Sequence, residues 1–250
     1  MKFTDQFDLR TRRLAKPLSP LSPEDLAEAY PDFVDLVPYI HNLTGGLLPL
    51  AAALANILAK LNVTTAQAYL DHREEILPPY FTATLKMLFD DVQLETDREA
   101  LKVLAQLRRF DLKVLRSLLP KVTTGVWDDT DNDTYFNLLG RLGEWLRWRV
   151  VGGGYVLHPE HRIVLQGYLS YENPKLVNRI NGLMVEIYLG ELEQEYRTIY
   201  VQELLYHRFR ALQKGGDTDR NAPKPSVTDL LEKINGRGLV MMDEDSDALK

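Results

Sequence analysis

The stretch "WRVVGGGYVLHP", residues 148–159, interrupts a chain in which most segments have helical periodicity. Two short runs rich in aromatic and β-branched residues, "WRVV" and "YVLH", flank the glycines at 152–154. Such residues favour strands and glycine favours a tight reversal, so this stretch predicts a β-hairpin. Pro159 suits the first turn of a helix, which we expect to extend to about residue 169.

Three helices are predicted immediately before the hairpin. Apolar residues at helical spacing indicate amphipathic helices over 97–110 and 111–119, and Asp133 can cap a third helix over 134–147. Three helices followed by a hairpin is the order of a winged-helix domain, which we assign to residues 96–175.

A helical arm is predicted for residues 176–214 and a flexible acidic tail for 215–250. The apolar residues of the arm recur at helical spacing and predict two long helices. The tail ends "MMDEDSDALK", whose carboxylates repel one another. On the second helix of the arm, the residues expected to be buried are Leu204, Leu205, Phe209 and Leu212.

The N-terminal part, after a lead-in at 1–16, predicts an all-helical bundle over residues 17–95. Ser22 is a good N-cap and Pro23 suits the first helical position, so a helix should begin at about residue 23. Thr64 is expected to cap a further helix, which "PP" at 78–79 should end. The fold class is therefore mainly α: a helical bundle, a winged-helix domain with one small β-hairpin, and a C-terminal helical pair.

Composition restricts the chemistry and the surroundings of the chain. The 250 residues include no Cys, which excludes disulfides, thiolate metal sites and a Cys nucleophile and fits a reducing cytoplasm. The longest apolar run, 45–59, is interrupted by Pro49 and Asn56 and is too short to cross a bilayer. A net charge of −6 argues against general binding to nucleic acid or anionic membranes. We expect a cytoplasmic protein with no membrane partner.

No motif for catalysis or for a cofactor is present. His158 and His161 are three residues apart, but no third zinc ligand has a suitable spacing, so no metal is expected. The acidic loop at 128–133 lacks the glycine and the closing glutamate of a calcium loop. Neither a nucleophile elbow nor a P-loop sequence occurs. The sequence therefore predicts a protein that is not an enzyme and that has no cofactor.

DNA binding is the alternative function, because winged helices often bind duplexes. The recognition helix would be 134–147, and the candidate contacts are Arg141, Arg147 and Arg149. The four aspartates before that helix and the bare glycines of the hairpin tip weaken the basic surface that phosphate contacts need. This interpretation makes the chain a transcriptional regulator.

Several segments, in order, resemble parts of the STAND class of P-loop regulatory ATPases. "LSPLSPEDLAEAY" is similar to the segment that leads into their helical lid, and "IHNLTGGLLPLAAALA" to the G-x-P motif on that lid. "ALKVLAQLRRFDLKVLRSLLP" and "YVLHPEHRIVL" resemble their winged-helix domain, and "VQELLYHRF" the start of the arm that follows. The resemblance covers roughly residues 15–212, and no P-loop half accompanies it.

The resemblance implies roles for particular residues. His158 would be the sensor histidine that reaches the β-phosphate of bound ADP, and Pro49 the proline that packs on the adenine. Gly45 and Gly46 precede Pro49. Two leucines separate Gly46 from Pro49, one residue more than in the usual motif. His161 has no matching role and is expected at the surface.

The implied function is that of a non-catalytic regulatory module, an adaptor in a signalling or defence system. Its partner would be another protein, either a P-loop ATPase domain or an effector enzyme. Exposed aromatic residues are candidates for that contact, since aromatic side chains dominate many protein interfaces. The candidates are Trp148, Tyr196 and Tyr200, whereas Trp145 is expected in the core.

Overall fold

The computed structural model describes residues 20–123, 127, 132–150, 153–195 and 197–213. These residues form two compact units, divided between Leu85 and Lys86. The domain boundary at 95/96 stays a prediction. Within the described ranges the fold is mainly α, with one small antiparallel hairpin, as predicted. The lead-in, most of the acidic loop and the tail lie outside them. No helix within these ranges is long and apolar enough to span a membrane.

The first unit is entirely helical where it is described. Its helices are α1 (Pro23–Ala29), a 3-10 helix (Pro31–Leu36), α2 (Val37–Thr44), α3 (Leu48–Lys60), α4 (Ala66–Asp71) and α5 (Arg73–Leu88), the last of which passes the division. Helix α1 begins at the predicted residue. The Ser22 hydroxyl accepts from the amide of Asp25 at 3.1 Å, and the Asp25 carboxylate accepts from the amide of Ser22 at 3.0 Å. These hydrogen bonds to Ser22 lower the pKa of Asp25.

Helix α5 contradicts the expectation that Pro78 and Pro79 end a helix, because both lie inside it. Both prolines are exposed, and neither has an amide hydrogen to donate in the helix. The same helix buries four large side chains on its other face, and this burial offsets the lost hydrogen bonds. They are Ile76, Leu77, Tyr80 and Phe81.

The second unit contains a hairpin where one was predicted, although its first strand begins at Leu146, two residues before the predicted run. Its elements are α6 (Glu95–Leu104), α7 (Leu112–Val122), α8 (Asn132–Arg141), β1 (Leu146–Trp148), β2 (Tyr155–Leu157), α9 (Pro159–Glu172), α10 (Pro174–Gln194) and α11 (Thr198–Gln213). The strands pair antiparallel, with Arg147 opposite Val156. Pro159 occupies the first turn of α9, as expected.

Phe110, in the connection from α6 to α7, extends the hairpin sideways. Its amide donates to the carbonyl of Tyr155 at 2.9 Å, and the amide of Tyr155 donates back at 2.7 Å. Gly154 stands beside this bridge with φ +114°, and a Cβ there would lie 3.0 Å from the Phe110 carbonyl oxygen. The glycine is therefore needed both for the turn and for the close approach.

The helix predicted over 134–147 is shorter, since α8 ends at Arg141 and Arg147 lies in β1. Gly140 and Gly143 weaken helix propagation in this region. Leu146 pairs with Leu157 in the hairpin, and this tertiary pairing takes the chain out of the helix. Helix α7, by contrast, continues through Pro120, where we expected it to stop.

The buried face of α11 matches the predicted one only in part: Leu204 is buried, as expected. Phe209 is 52% exposed and Leu205 only half-buried, while the side chain of Leu212 lies outside the described set. Helix α11 instead packs antiparallel on α10 through a face that includes polar residues. Its buried members are Tyr200, Glu203, Leu204, His207 and Arg208.

Candidate functional site

His158 is the N-cap residue of α9, directly after β2. Its amide donates to the carbonyl of Trp145 at 3.0 Å, which ties the start of α9 to the base of the hairpin. The side chain is 33% exposed, and its Nδ1 lies 3.8 Å from a carboxylate oxygen of Glu160. A partly exposed imidazole at this place can contact a ligand, and its role as a nucleotide sensor stays a prediction.

His161 is not at the surface, contrary to expectation. It is 8% exposed, and its ring packs on Trp145 with centroids 4.4 Å apart. Trp145 also contacts Phe89, at 6.0 Å between ring centroids, and is half-buried. Among the described residues there is no group of three or more His, Asp or Glu side chains placed to hold a metal ion.

Gly45, Gly46 and Pro49 lie together at the junction of α2 and α3. Both glycines have left-handed backbone conformations, with φ values of +61° and +76°. A Cβ at Gly46 would overlap the backbone of Leu21, whose amide donates to the Gly46 carbonyl at 2.8 Å. Local structure therefore requires this glycine. Pro49 is exposed in the first turn of α3, where its ring can contact another molecule.

The sensor candidates are divided between the two units. Pro49 and its glycines belong to the first unit and His158 to the second, and each unit is described by itself. Nucleotide binding by Pro49 and its glycines, and by His158, therefore stays a prediction.

Arg141 has a structural partner. Its Nε and Nη2 donate to the two carboxylate oxygens of Asp97 at 2.7 and 2.8 Å, and these bonds raise the pKa of Arg141. Asp97 is 3% exposed, and a buried carboxylate without this partner would cost free energy. Arg147 and Arg149 are exposed, and the amide of Arg149 donates to the Gly154 carbonyl at 2.9 Å. DNA binding by these arginines stays a prediction.

The predicted partner contacts differ in their exposure. Trp148 is 56% exposed and meets the ring of Tyr155 edge-on, with centroids 4.9 Å apart. Tyr200 is not exposed as we expected: it is 4% exposed and packs against Tyr188 across α10 and α11. Burial also raises the pKa of Tyr200. Tyr196 lies outside the described residues.

Sequence reasoning missed a group of arginines around Tyr206. The guanidinium carbons of Arg108, Arg210 and Arg162 lie 4.8, 5.5 and 6.0 Å from the centre of its ring. Only the spacing of Tyr206 and Arg210, one helical turn apart, is visible in the sequence. The other two arginines come from distant segments, so no local pattern could have identified the group.

Comparisons with protein-family models, with curated proteins and with solved structures found no match to this chain.

Proposed function

We propose that this chain is a non-catalytic regulatory module that acts by binding another protein, and that it corresponds to the switch half of a STAND-class ATPase. The main support is the position of His158, partly exposed and directly between a hairpin and the helix that follows it. This is the place that the family's sensor histidine occupies.

The order of elements in the second unit supports the same proposal. Three helices precede the hairpin, and Phe110 adds a short extended segment between the first two of them. A winged-helix domain has this order. We propose that α6 to α9 form such a domain, within residues 96–175, and that α10 and α11 correspond to the beginning of the family's helical arm.

The proposed partner is a P-loop ATPase domain or an effector enzyme in the cytoplasm. Trp148 is the best candidate contact on this chain, because it is a large exposed aromatic side chain held in place by Tyr155. Val150, 87% exposed, and Phe136, 54% exposed, add apolar surface in the same unit. His158 would contribute a contact to the β-phosphate of ADP held by the partner.

The test is affinity purification of the tagged chain from its native extract, with quantitative mass spectrometry. We expect a P-loop ATPase or an effector enzyme at near-equal stoichiometry, and loss of that partner with Trp148→Ala. Phe209→Ala is the matched control, since Phe209 is an equally exposed aromatic residue on α11. Recovery of nucleic acid alone, or equal loss with both variants, contradicts the proposal.

The nucleotide role of His158 is tested on the recovered complex. His158→Ala should weaken ADP binding about tenfold, as expected for the loss of a hydrogen bond to a charged group. Unchanged affinity would refute the sensor role and leave the adaptor role standing.

A second candidate function, DNA binding, is favoured by the exposed Arg147 and Arg149 on either side of Trp148. It predicts duplex binding that weakens steeply with salt and that Arg147→Glu abolishes. Duplex binding that is insensitive to Arg147→Glu, or no binding at low salt, eliminates this alternative.

A further inference from the structure

Tyr206 on α11 is surrounded by guanidinium groups from three parts of the second unit. Arg108 follows α6, Arg162 belongs to α9, and Arg210 lies one turn beyond Tyr206 on α11. The Tyr206 hydroxyl oxygen accepts from Nη2 of Arg162 at 2.9 Å and from Nη1 of Arg210 at 2.6 Å. Because both nitrogens bond one oxygen atom, two positive groups lie side by side.

Negative charge is scarce around this arginine cluster, which we define as Arg108, Arg162 and Arg210. Glu203 is 2% exposed and bonds Arg108 through both carboxylate oxygens, at 2.9 and 3.4 Å. In the part of the chain that is described, no ion pair joins a carboxylate to Arg162 or Arg210. Burial, together with the charges of Arg210 and Arg108, lowers the pKa of Arg162. The cluster therefore has more positive than negative charge.

The cluster is also accessible. The Arg108 side chain is 40% exposed, and Arg162, Tyr206 and Arg210 are all only half-buried. A phenol oxygen is neutral and cannot compensate the guanidinium charges that it accepts bonds from. An oxyanion with several acceptor oxygens can do so, because arginine forks bind phosphate through paired, charge-assisted hydrogen bonds.

We propose that Arg108, Arg162 and Arg210 form a binding site for the phosphate group of a small molecule beside Tyr206. The bound group displaces the two arginines from the hydroxyl oxygen and accepts their hydrogen bonds itself. Inorganic phosphate, pyrophosphate and a nucleotide all present this chemistry. The site does not depend on the proposed function, since neither His158 nor Trp148 belongs to it.

The test is isothermal titration calorimetry of the full chain at low ionic strength, with phosphate, pyrophosphate and ADP in separate titrations. We expect saturable binding of at least one of them. Binding of phosphate or pyrophosphate identifies an inorganic ligand, and binding of ADP alone identifies an organic phosphate. Absence of binding in all three titrations overturns the proposal.

Arg210→Gln should weaken that binding about tenfold or more, because it removes one charged donor pair. Arg73→Gln is the control, since it removes the same charge from an exposed arginine of the first unit. If the two variants weaken ligand binding equally, only the net charge of the chain matters and the proposed site is wrong.

The melting temperature without ligand separates binding from a structural role. Arg210→Gln should leave it unchanged or raise it, because the variant relieves repulsion between like charges. A lower melting temperature together with unchanged phosphate affinity would show that the cluster is structural, which contradicts the proposal.

Discussion

Between α6, α7 and α8 the buried side chains are mostly apolar, with Asp97 and Gln106 among the exceptions, whereas the contact of α10 with α11 buries Asn181, Glu203 and His207. The apolar spacing in the first region predicted helices over 97–110 and 111–119, but α6 ends at Leu104 and Phe110 lies outside both helices. In the second region the same kind of reasoning selected Leu204, which is buried, but also Leu205 and Phe209, which are not. Apolar periodicity locates a core only where that core is apolar. A polar buried face is identified by its partners, which lie on another helix.

The partners in the α10–α11 contact are specific. Nδ1 of His207 lies 2.8 Å from Oδ1 of Asn181, and the Asn181 amide nitrogen donates to the Val177 carbonyl at 2.8 Å. The carboxamide oxygen is thus the acceptor, so His207 donates from Nδ1. Tyr188 stacks on His207, with ring centroids 6.3 Å apart. Burial raises the pKa of Tyr188 well above its ordinary value.

The largest effect should come from the apolar region. Leu118 on α7 is 0% exposed, and Leu118→Ala removes buried methyl groups and leaves a cavity. We expect a loss of about 2–5 kcal/mol in the free energy of unfolding, measured by urea denaturation. A loss below about 1 kcal/mol would mean that α6–α8 tolerate voids and that the contrast with α10–α11 is wrong.

A smaller effect is expected from Asn181→Leu in the polar region. The variant leaves the buried Nδ1 of His207 without its acceptor, at a cost of about 1–3 kcal/mol by urea denaturation. The double variant Asn181→Leu, His207→Phe removes both polar partners and should recover most of that loss. If the double variant loses the sum of the unfolding free energies lost by the two single variants, the two side chains do not interact.

The pH dependence of the unfolding free energy tests the polar region in a second way. Burial lowers the pKa of His207 to about 3, so below pH 6.5 the unfolded chain binds a proton that the folded chain does not. Stability is therefore lost as the pH falls from 6.5 towards 3. Between pH 6 and 4 the unfolding free energy of His207→Gln should fall less steeply with decreasing pH than that of the parent. The two slopes should differ by up to about 1.4 kcal/mol per pH unit. Parallel profiles of unfolding free energy against pH would contradict a neutral, buried imidazole.

The smallest effect is expected from Phe209→Ala, although the sequence placed this residue in the core. Its side chain is 52% exposed, so the free energy of unfolding should change by less than about 0.5 kcal/mol. Tyr200→Ala on the observed buried face is the comparison and should cost several times more. A reversed order would show that the predicted face of α11 is the true one.

The candidate site was predictable only where a local signal exists. His158 follows a hairpin that could be predicted from its aromatic residues and glycines. The start of α9 at Pro159 was also predicted correctly. The burial of His161 was missed because it depends on Trp145, sixteen positions earlier in the chain. The bonds of Arg141 to Asp97 were missed because Asp97 lies on another helix, distant in sequence.

Local sequence patterns were enough to predict the helical class, the hairpin and several helix starts, because N-caps, prolines and glycines act within a few residues of chain. Long-range packing determines where α8 ends, that α5 continues through Pro78 and Pro79, and which face of α11 is buried. It also brought Arg108, Arg162 and Arg210 to Tyr206. In each of these cases the deciding free energy comes from burial, strand pairing or charge between residues far apart in sequence, where local propensity has no influence.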